Sequence, residues 1–181
     1  MIAIGSKVSK ALLSHFFLHA DDKLYINEIA GKFSLDKRNL VKKLKEYEKE
    51  GLFKSEKMGN QVYYSLNKKY PLYNEYRKIV LKTIGIESKL KEILKDAKGI
   101  NEVYIFGSYA ADKMDSSSDI DLLVIGAIGT VGLHKMLSGL QKSINREINV
   151  VNMTEKEYRK KKSGNDPFLK NVFKCKKIKI V

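Results

Sequence analysis

Val103-Tyr104-Ile105-Phe106-Gly107-Ser108, followed by Ser118-Asp119-Ile120-Asp121-Leu122-Leu123-Val124-Ile125, is the stretch that decides how this chain folds. The first four residues are β-branched or aromatic and predict a strand that runs straight into Gly107-Ser108, with a short helix to about Lys113 after it. Glycine lets a backbone approach an anion closely, and a serine hydroxyl with the first amides of a helix can donate to phosphate oxygens. In the second segment Asp119 and Asp121 stand two residues apart. Strand alternation places both on one face, about 6–7 Å apart along the chain, while Ile120 and Leu122 point the other way. The apolar run Leu122 to Ile125 marks a buried central strand, where carboxylates without partners are costly. Two hard oxygen ligands converging there suit Mg²⁺, which takes one or two carboxylates together with substrate phosphates.

Downstream, Ile148-Asn149-Val150-Val151 is expected as a neighbouring strand. The tail carries Lys156, Arg159, Lys160, Lys161 and Lys162, then a helix opening at Asp166-Pro167-Phe168-Leu169, and an edge strand at Ile178-Lys179-Ile180. The basic run can meet a polyanion or can be a solvated helix face, and lysine on an edge strand also blocks unwanted pairing.

Gly107-Ser108, the twelve-residue step from Gly107 to Asp119, and Asp119-Ile120-Asp121 resemble the nucleotidyltransferase superfamily that includes DNA polymerase beta, especially its minimal prokaryotic members. The resemblance covers roughly residues 87–181. It implies a helix before the first strand, phosphate binding by Gly107 and Ser108, and metal ligation by Asp119 and Asp121. It also implies a third carboxylate on the neighbouring strand, where this chain has Asn149. An amide oxygen can ligate or hydrogen-bond, but it brings no charge and cannot take a proton from a hydroxyl at neutral pH. Glu147 shares that face by parity and is a substitute if the backbone shifts. A basic residue that the family carries shortly after Gly-Ser is replaced by Ala111.

Toward the N-terminus, Ser6 to His19 reads as a helix with Val8, Ala11, Leu12 and Phe16 on one face. A second helix is expected from about Ile26 to Phe33, and a third from an N-cap at Ser34 to Gly51. On the third, Leu40, Leu44, Tyr47 and Gly51 share one sector, while Arg38, Lys42, Lys45 and Lys49 form a stripe on the opposite side. Leu52 to Ser55 and Val62 to Leu66 flank Met58-Gly59-Asn60 as a hairpin. Ile26-Asn27-Glu28-Ile29-Ala30, Leu40-Val41-Lys42-Lys43-Leu44 and Glu48-Lys49-Glu50-Gly51-Leu52-Phe53 resemble the winged helix-turn-helix domains of bacterial and archaeal transcription regulators. That resemblance implies binding of double-stranded DNA through Arg38, Lys42, Lys45 and Lys49, with Lys54, Lys57 and Gln61 of the wing near the backbone. Gly31 departs from the pattern. Lysine acts as a point charge, so phosphate affinity is expected more than base reading. His15 and His19 have the spacing of paired metal ligands without a third partner nearby.

Between these regions, Tyr76, Ile79, Thr83, Ile86, Leu90, Ile93 and Ala97 recur in 3-4 spacing, with Gly85 in the middle. The pattern fits one dimer-forming helix, or two helices broken near Gly85 that pack on their own domains.

The chain has 181 residues, with 35 Lys+Arg against 21 Asp+Glu for a net +14. That excess favours a polyanionic ligand. It is uneven: residues 101–150 hold 4 basic and 6 acidic side chains, whereas residues 151–181 hold 10 and 3. Lone Cys175 excludes an intramolecular disulfide and is expected to pack as a small apolar side chain. Lys7, Lys10 and His15 interrupt the first apolar residues, so no signal peptide is expected. The apolar run Leu122 to Leu133 is shorter than the ~20 residues a bilayer requires. A cytoplasmic protein off the membrane is expected.

The expected architecture is α/β with two domains: a winged helix-turn-helix over 1–70, a helical connector over 71–98, and a mixed-sheet nucleotidyltransferase-like domain over 99–181 whose first helix reaches back to about 87. Two functions stay open. One is a transcription regulator that binds DNA and Mg-NTP, ATP foremost, with weak or lost transferase activity and a homodimer through 71–98. The other is an active nucleotidyltransferase that moves a nucleotidyl group to a hydroxyl acceptor and releases pyrophosphate, with Asp119, Asp121 and Asn149 at its catalytic centre.

Overall fold

A computed structural model describes residues 2–115 and 117–181, which divide into two compact units, Met1–Ile86 and Glu87–Val181.

The first unit contains α1 (Lys7–Leu18), β1 (Leu24–Tyr25), α2 (Ile26–Phe33), α3 (Lys37–Lys49), β2 (Phe53–Met58), β3 (Gln61–Leu66) and α4 (Tyr73–Thr83). Ser6 caps α1, its Oγ accepting the Ser9 amide at 3.1 Å. The helix buries Leu12, Leu13, Phe16 and Phe17. The cap of α3 is Asp36, whose Oδ1 accepts the Asn39 amide at 2.9 Å. Ser34, expected in that role, instead ends α2 at φ 50, and the Leu35 amide closes back on the Ala30 carbonyl at 3.0 Å. A left-handed end on α2 removes Ser34 from the extended conformation that an N-cap needs. At the other end of α3, Gly51 takes φ 81 and the Leu52 amide returns to the Tyr47 carbonyl at 2.9 Å, so Gly51 lies past the helix and off its apolar face. Leu40, Leu44 and Tyr47 are fully buried, and the Tyr47 ring stacks on Phe53, itself edge-on to Phe16. The hairpin turns at Gly59-Asn60, and the sheet order is β1-β3-β2, with the two-residue β1 an element that the sequence pattern did not announce.

Two helices occupy 73–94, α4 and α5 (Ile86–Leu94). Gly85 separates them: its amide bonds the Val80 carbonyl at 2.8 Å, and a Cβ there would lie 2.7 Å from the Leu81 Cα. Close return over the last turn of α4 therefore requires glycine. The buried residues are Val80, Leu81, Ile86, Leu90 and Leu94, while Ile79 and Thr83 face solvent, so the 3-4 pattern is carried by two helices and not by one.

The second unit adds β4 (Ile100–Phe106), α6 (Gly107–Ala110), β5 (Ile120–Gly126), α7 (Thr130–Ile144), β6 (Ile148–Met153), α8 (Glu155–Ser163), α9 (Pro167–Lys174) and β7 (Ile178–Lys179). Its sheet runs β6-β5-β4-β7, with β5 and β6 parallel and the other pairs antiparallel. Parallel neighbours need a crossover, which α7 supplies. The helix after β4 stops at Ala110, short of the expected Lys113. On one sheet face Leu123, Ile125 and Met153 pack with Leu169 and Val172 of α9, flanked by Tyr104, Phe106, Tyr158, Phe168 and Phe173. Cys175 is exposed, contrary to the expectation of packing, because it caps the end of α9 where the chain turns outward. Among the described residues no helix is long and apolar enough to cross a membrane.

Candidate nucleotide-binding site

Register brings the chemistry of the second unit to one rung of the sheet. Phe106 is the cross-strand partner of Asp121, and Asp121 stands beside Asn149 on the parallel neighbour β6. Side chains at these positions share a face, and Asp119 lies one alternation back on the same side. The Asn149 amide nitrogen donates to Asp119 Oδ2 at 3.2 Å, and Asn149 stands beside Asp121 in the register of β5 and β6. Burial raises the Asp121 carboxyl above its ordinary pKa; the neighbouring Asn149 amide opposes this, and the nearby Asp119 charge adds to it.

Gly107 stands against this rung. It has φ 71, and a Cβ there would overlap Asp121 Oδ2 and lie 3.2 Å from its Cγ. Glycine adopts that φ at low cost, and its missing Cβ lets the Asp121 carboxylate lie directly against the backbone. Ser108 follows, half-buried in the first turn of α6. The site thus gathers Gly107, Ser108, Asp119, Asp121 and Asn149. The donor set, two carboxylates and one amide oxygen beside Gly107, fits one hard divalent cation. No cluster of three His, Cys, Asp or Glu able to hold a metal occurs among the described residues. Glu147 is exposed and precedes β6, where its carbonyl accepts the Ile120 amide.

Residues 88–177 match the family model for polymerase beta nucleotidyltransferases. The second unit is a nucleotidyltransferase-fold domain. Similar solved structures include a mutant of the toxin-antitoxin MntA-HpeT, at 16% identity over 53% of this chain and 73% of that one with a TM-score of 0.40. A toxin-antitoxin with AMP-PNP gives 25% identity, 36% and 56% coverage and a TM-score of 0.33, so this chain spans little more than half of that one. TrmBL2, an archaeal chromatin protein described as showing a novel mode of DNA binding, gives 12% identity over 90% of this chain and 72% of that one, with a TM-score of 0.29. A search among curated proteins finds no match.

The segment that delivers Asp119 in the nucleotidyltransferase unit is braced from below. Arg146, 9% exposed, donates from one guanidinium nitrogen to the Ser118 carbonyl and from the other to the Asp115 carbonyl at 3.0 Å. Asp115 in turn accepts from the Ser117 amide at 2.9 Å and from the Ser118 hydroxyl at 2.8 Å, bonds that hold its carboxyl below the usual range. Sequence reasoning passed over Arg146. A signal was available, since 35 basic residues include arginine at only four positions and one of these directly precedes the strand of Asn149. A planar fork that can grip two carbonyls explains an arginine where the chain otherwise uses lysine.

In the first unit Arg38, Lys42, Lys45, Lys49, Lys54 and Lys57 are all exposed, as is Gln61, and the four on α3 have no acidic partner among the described residues. His15 and His19 are buried; His15 bonds Asp22 at 2.9 Å and its ring stacks on His19.

Proposed function

We propose that this protein binds DNA through its first unit and a divalent-cation-bound NTP through its second, and that its nucleotidyl transfer is weak or lost. The observation that carries the reading is Asn149, an uncharged side chain hydrogen-bonded to Asp119 and beside Asp121 in register, where a third carboxylate would complete the centre. Transfer would join an acceptor hydroxyl oxygen to the α-phosphorus, break the bond to pyrophosphate and send the hydroxyl proton to a base. Asn149 cannot be that base at neutral pH. Asp119 and Asp121 would hold Mg²⁺, which supplies neutralisation of phosphate charge and polarisation of the phosphoryl group. Gly107 and Ser108 would meet the nucleotide phosphates, the glycine by close backbone approach and the serine hydroxyl by donating to a phosphate oxygen. Arg146 holds the carbonyls of Asp115 and Ser118, and with Ser118 the adjoining Asp119, in position.

Support for the DNA reading comes from the element order helix, strand, helix, helix, hairpin, together with an α3 face of four exposed cations opposite a buried Leu40-Leu44-Tyr47 face. A helix of this kind enters a major groove with its cations toward phosphates and base edges.

The test is label transfer from α-labelled ATP by wild type and by Asn149→Asp. Nucleotide binding without transfer in wild type, with transfer gained in the variant, is the expected result. Efficient transfer by wild type would establish the active enzyme instead.

A further inference from the structure

Charge within the second unit is polarised. Residues 87–153 carry 8 Lys+Arg and 9 Asp+Glu, whereas residues 154–181 carry 10 and 3. A general enrichment in lysine would spread the excess over both parts, and it does not.

The basic part is α8, α9 and the segment through β7. No residue of α8 is buried, and Lys156, Arg159, Lys160, Lys161 and Lys162 stand exposed along it. The three carboxylates of this part are engaged locally. Glu157 accepts the Thr154 amide at 2.7 Å in a capping box, Asp166 accepts the Leu169 amide at 3.0 Å as the cap of α9, and Glu155 pairs with Arg159. Lys160, Lys170, Lys174 and Lys176 are exposed with no acidic partner among the described residues.

Three further lysines are held in place by aromatic rings. The Lys162 ammonium lies 5.3 Å from the Tyr158 ring centre and 6.0 Å from that of Phe173. Lys177 lies 5.1 Å from the Phe173 ring and donates to the Phe173 carbonyl at 3.1 Å, and Lys179 lies 5.9 Å from the Tyr104 ring. Tyr104 and Tyr158 both contact Phe173, at 5.4 and 5.9 Å between ring centres. Residues from β4, α8, α9 and β7 therefore converge on one aromatic cluster that fixes ammonium groups from three chain segments. Fixed cations lose little side-chain freedom on meeting an anion.

We propose that the α8–α9 face of the nucleotidyltransferase unit binds the phosphate backbone of a nucleic acid, separately from the α3 stripe. Point-charge lysines with one arginine among them suit a repeating chain of phosphates and carry little base discrimination. The surface goes beyond the two ligands assigned above, since it gives the second unit a polyanion of its own besides the nucleotide.

The test uses the full chain and fluorescein-labelled duplex DNA, single-stranded DNA and single-stranded RNA, with binding followed by anisotropy over a series of KCl concentrations. Lys160→Gln, Lys170→Gln, Lys174→Gln and Lys176→Gln combined should weaken binding by about tenfold or more and lower the salt slope by about 3, with the circular-dichroism melting curve unchanged. Loss with one probe alone names the form of nucleic acid that the face takes. Wild-type affinity and slope with all three probes would overturn the proposal. So would displacement of the nucleic acid by polyglutamate at equal charge concentration, which would assign the face to an acidic protein. Arg38→Gln with Lys42→Gln is the parallel variant. If it alone weakens binding, this proposal fails and the α3 reading stands; if it has no effect while the tail variant does, the α3 reading fails and this proposal stands.

Discussion

His15 in the first unit and Asp121 in the second are ionisable groups drawn toward their neutral forms by the same cause, burial, and they mean opposite things. His15 is 7% exposed, bonded to Asp22, stacked on His19 and edged by Phe16 and Phe33. Burial first, then the charges of Lys32 and His19, lower its pKa to about 4 against the pull of Asp22. Its surroundings are filled. Asp121 is pushed upward where its carboxylate lies against the Gly107 backbone, beside Asp119 and Asn149. A buried titratable group boxed in by aromatic neighbours is a structural element; one gathered with a second carboxylate and an amide oxygen is built to meet a cation.

The strongest way to break this comparison is to displace that carboxylate. Gly107→Ala forces a side chain to φ 71 and into Asp121, and should destabilise the second unit by about 1–2 kcal/mol and abolish Mg-ATP binding in calorimetric titration. A variant that binds like wild type would show that the position of the carboxylate against Gly107 is not needed. His15→Gln should leave nucleotide affinity unchanged.

The next test is pH. The folded pKa of His15 lies below the unfolded 6.5, so the unfolded chain binds the extra proton between these values and stability falls as pH drops from 6.5 toward about 4. The loss should be on the order of 2–3 kcal/mol, read by amide hydrogen exchange in α1, and His15→Gln should flatten it. A pH-independent α1 would overturn the assignment.

Asp121 carries the opposite sign and the smallest effect. Its folded pKa is raised, so ionisation costs the folded state, and that cost appears as pH rises through the folded pKa. Asp121→Asn should therefore stabilise the second unit slightly at pH 7, by less than about 1 kcal/mol given its partial exposure and read as a small rise in melting temperature, and the gain should vanish at low pH while Mg-ATP binding is lost. Destabilisation at pH 7 would mean that the carboxylate is structural after all.

The site was legible in part. Asp119 and Asp121 on one face, and an apolar continuation into a central strand, follow from strand alternation, and β5 has that form. Gly107-Ser108 after a strand was legible as a turn, but the reason for glycine was not, since Asp121 touches it only once β4 and β5 pair. Arg146 gave no local pattern, because its partners are carbonyls of a distant segment. On the α3 stripe the sequence went further, since a solvated face needs nothing beyond its own helix to expose Arg38, Lys42, Lys45 and Lys49. The cap at Ser34 and the seam through Ile79 and Thr83 failed for the complementary reason, as neighbouring turns decided them.

Sequence alone determined the helix and strand faces, the mixed α/β character of the chain and the separation of an acid-bearing strand from basic helices, because those patterns repeat over a few residues. Tertiary structure decided that Asn149 lies beside Asp121 and hydrogen-bonds Asp119, that Gly107 meets Asp121 at the same rung, that α4 and α5 part at Gly85, and that Lys162 and Lys177 gather on Phe173. Each of these depends on strand register or on contacts between distant segments, whose energies are summed over the folded unit and are written in no short window of residues.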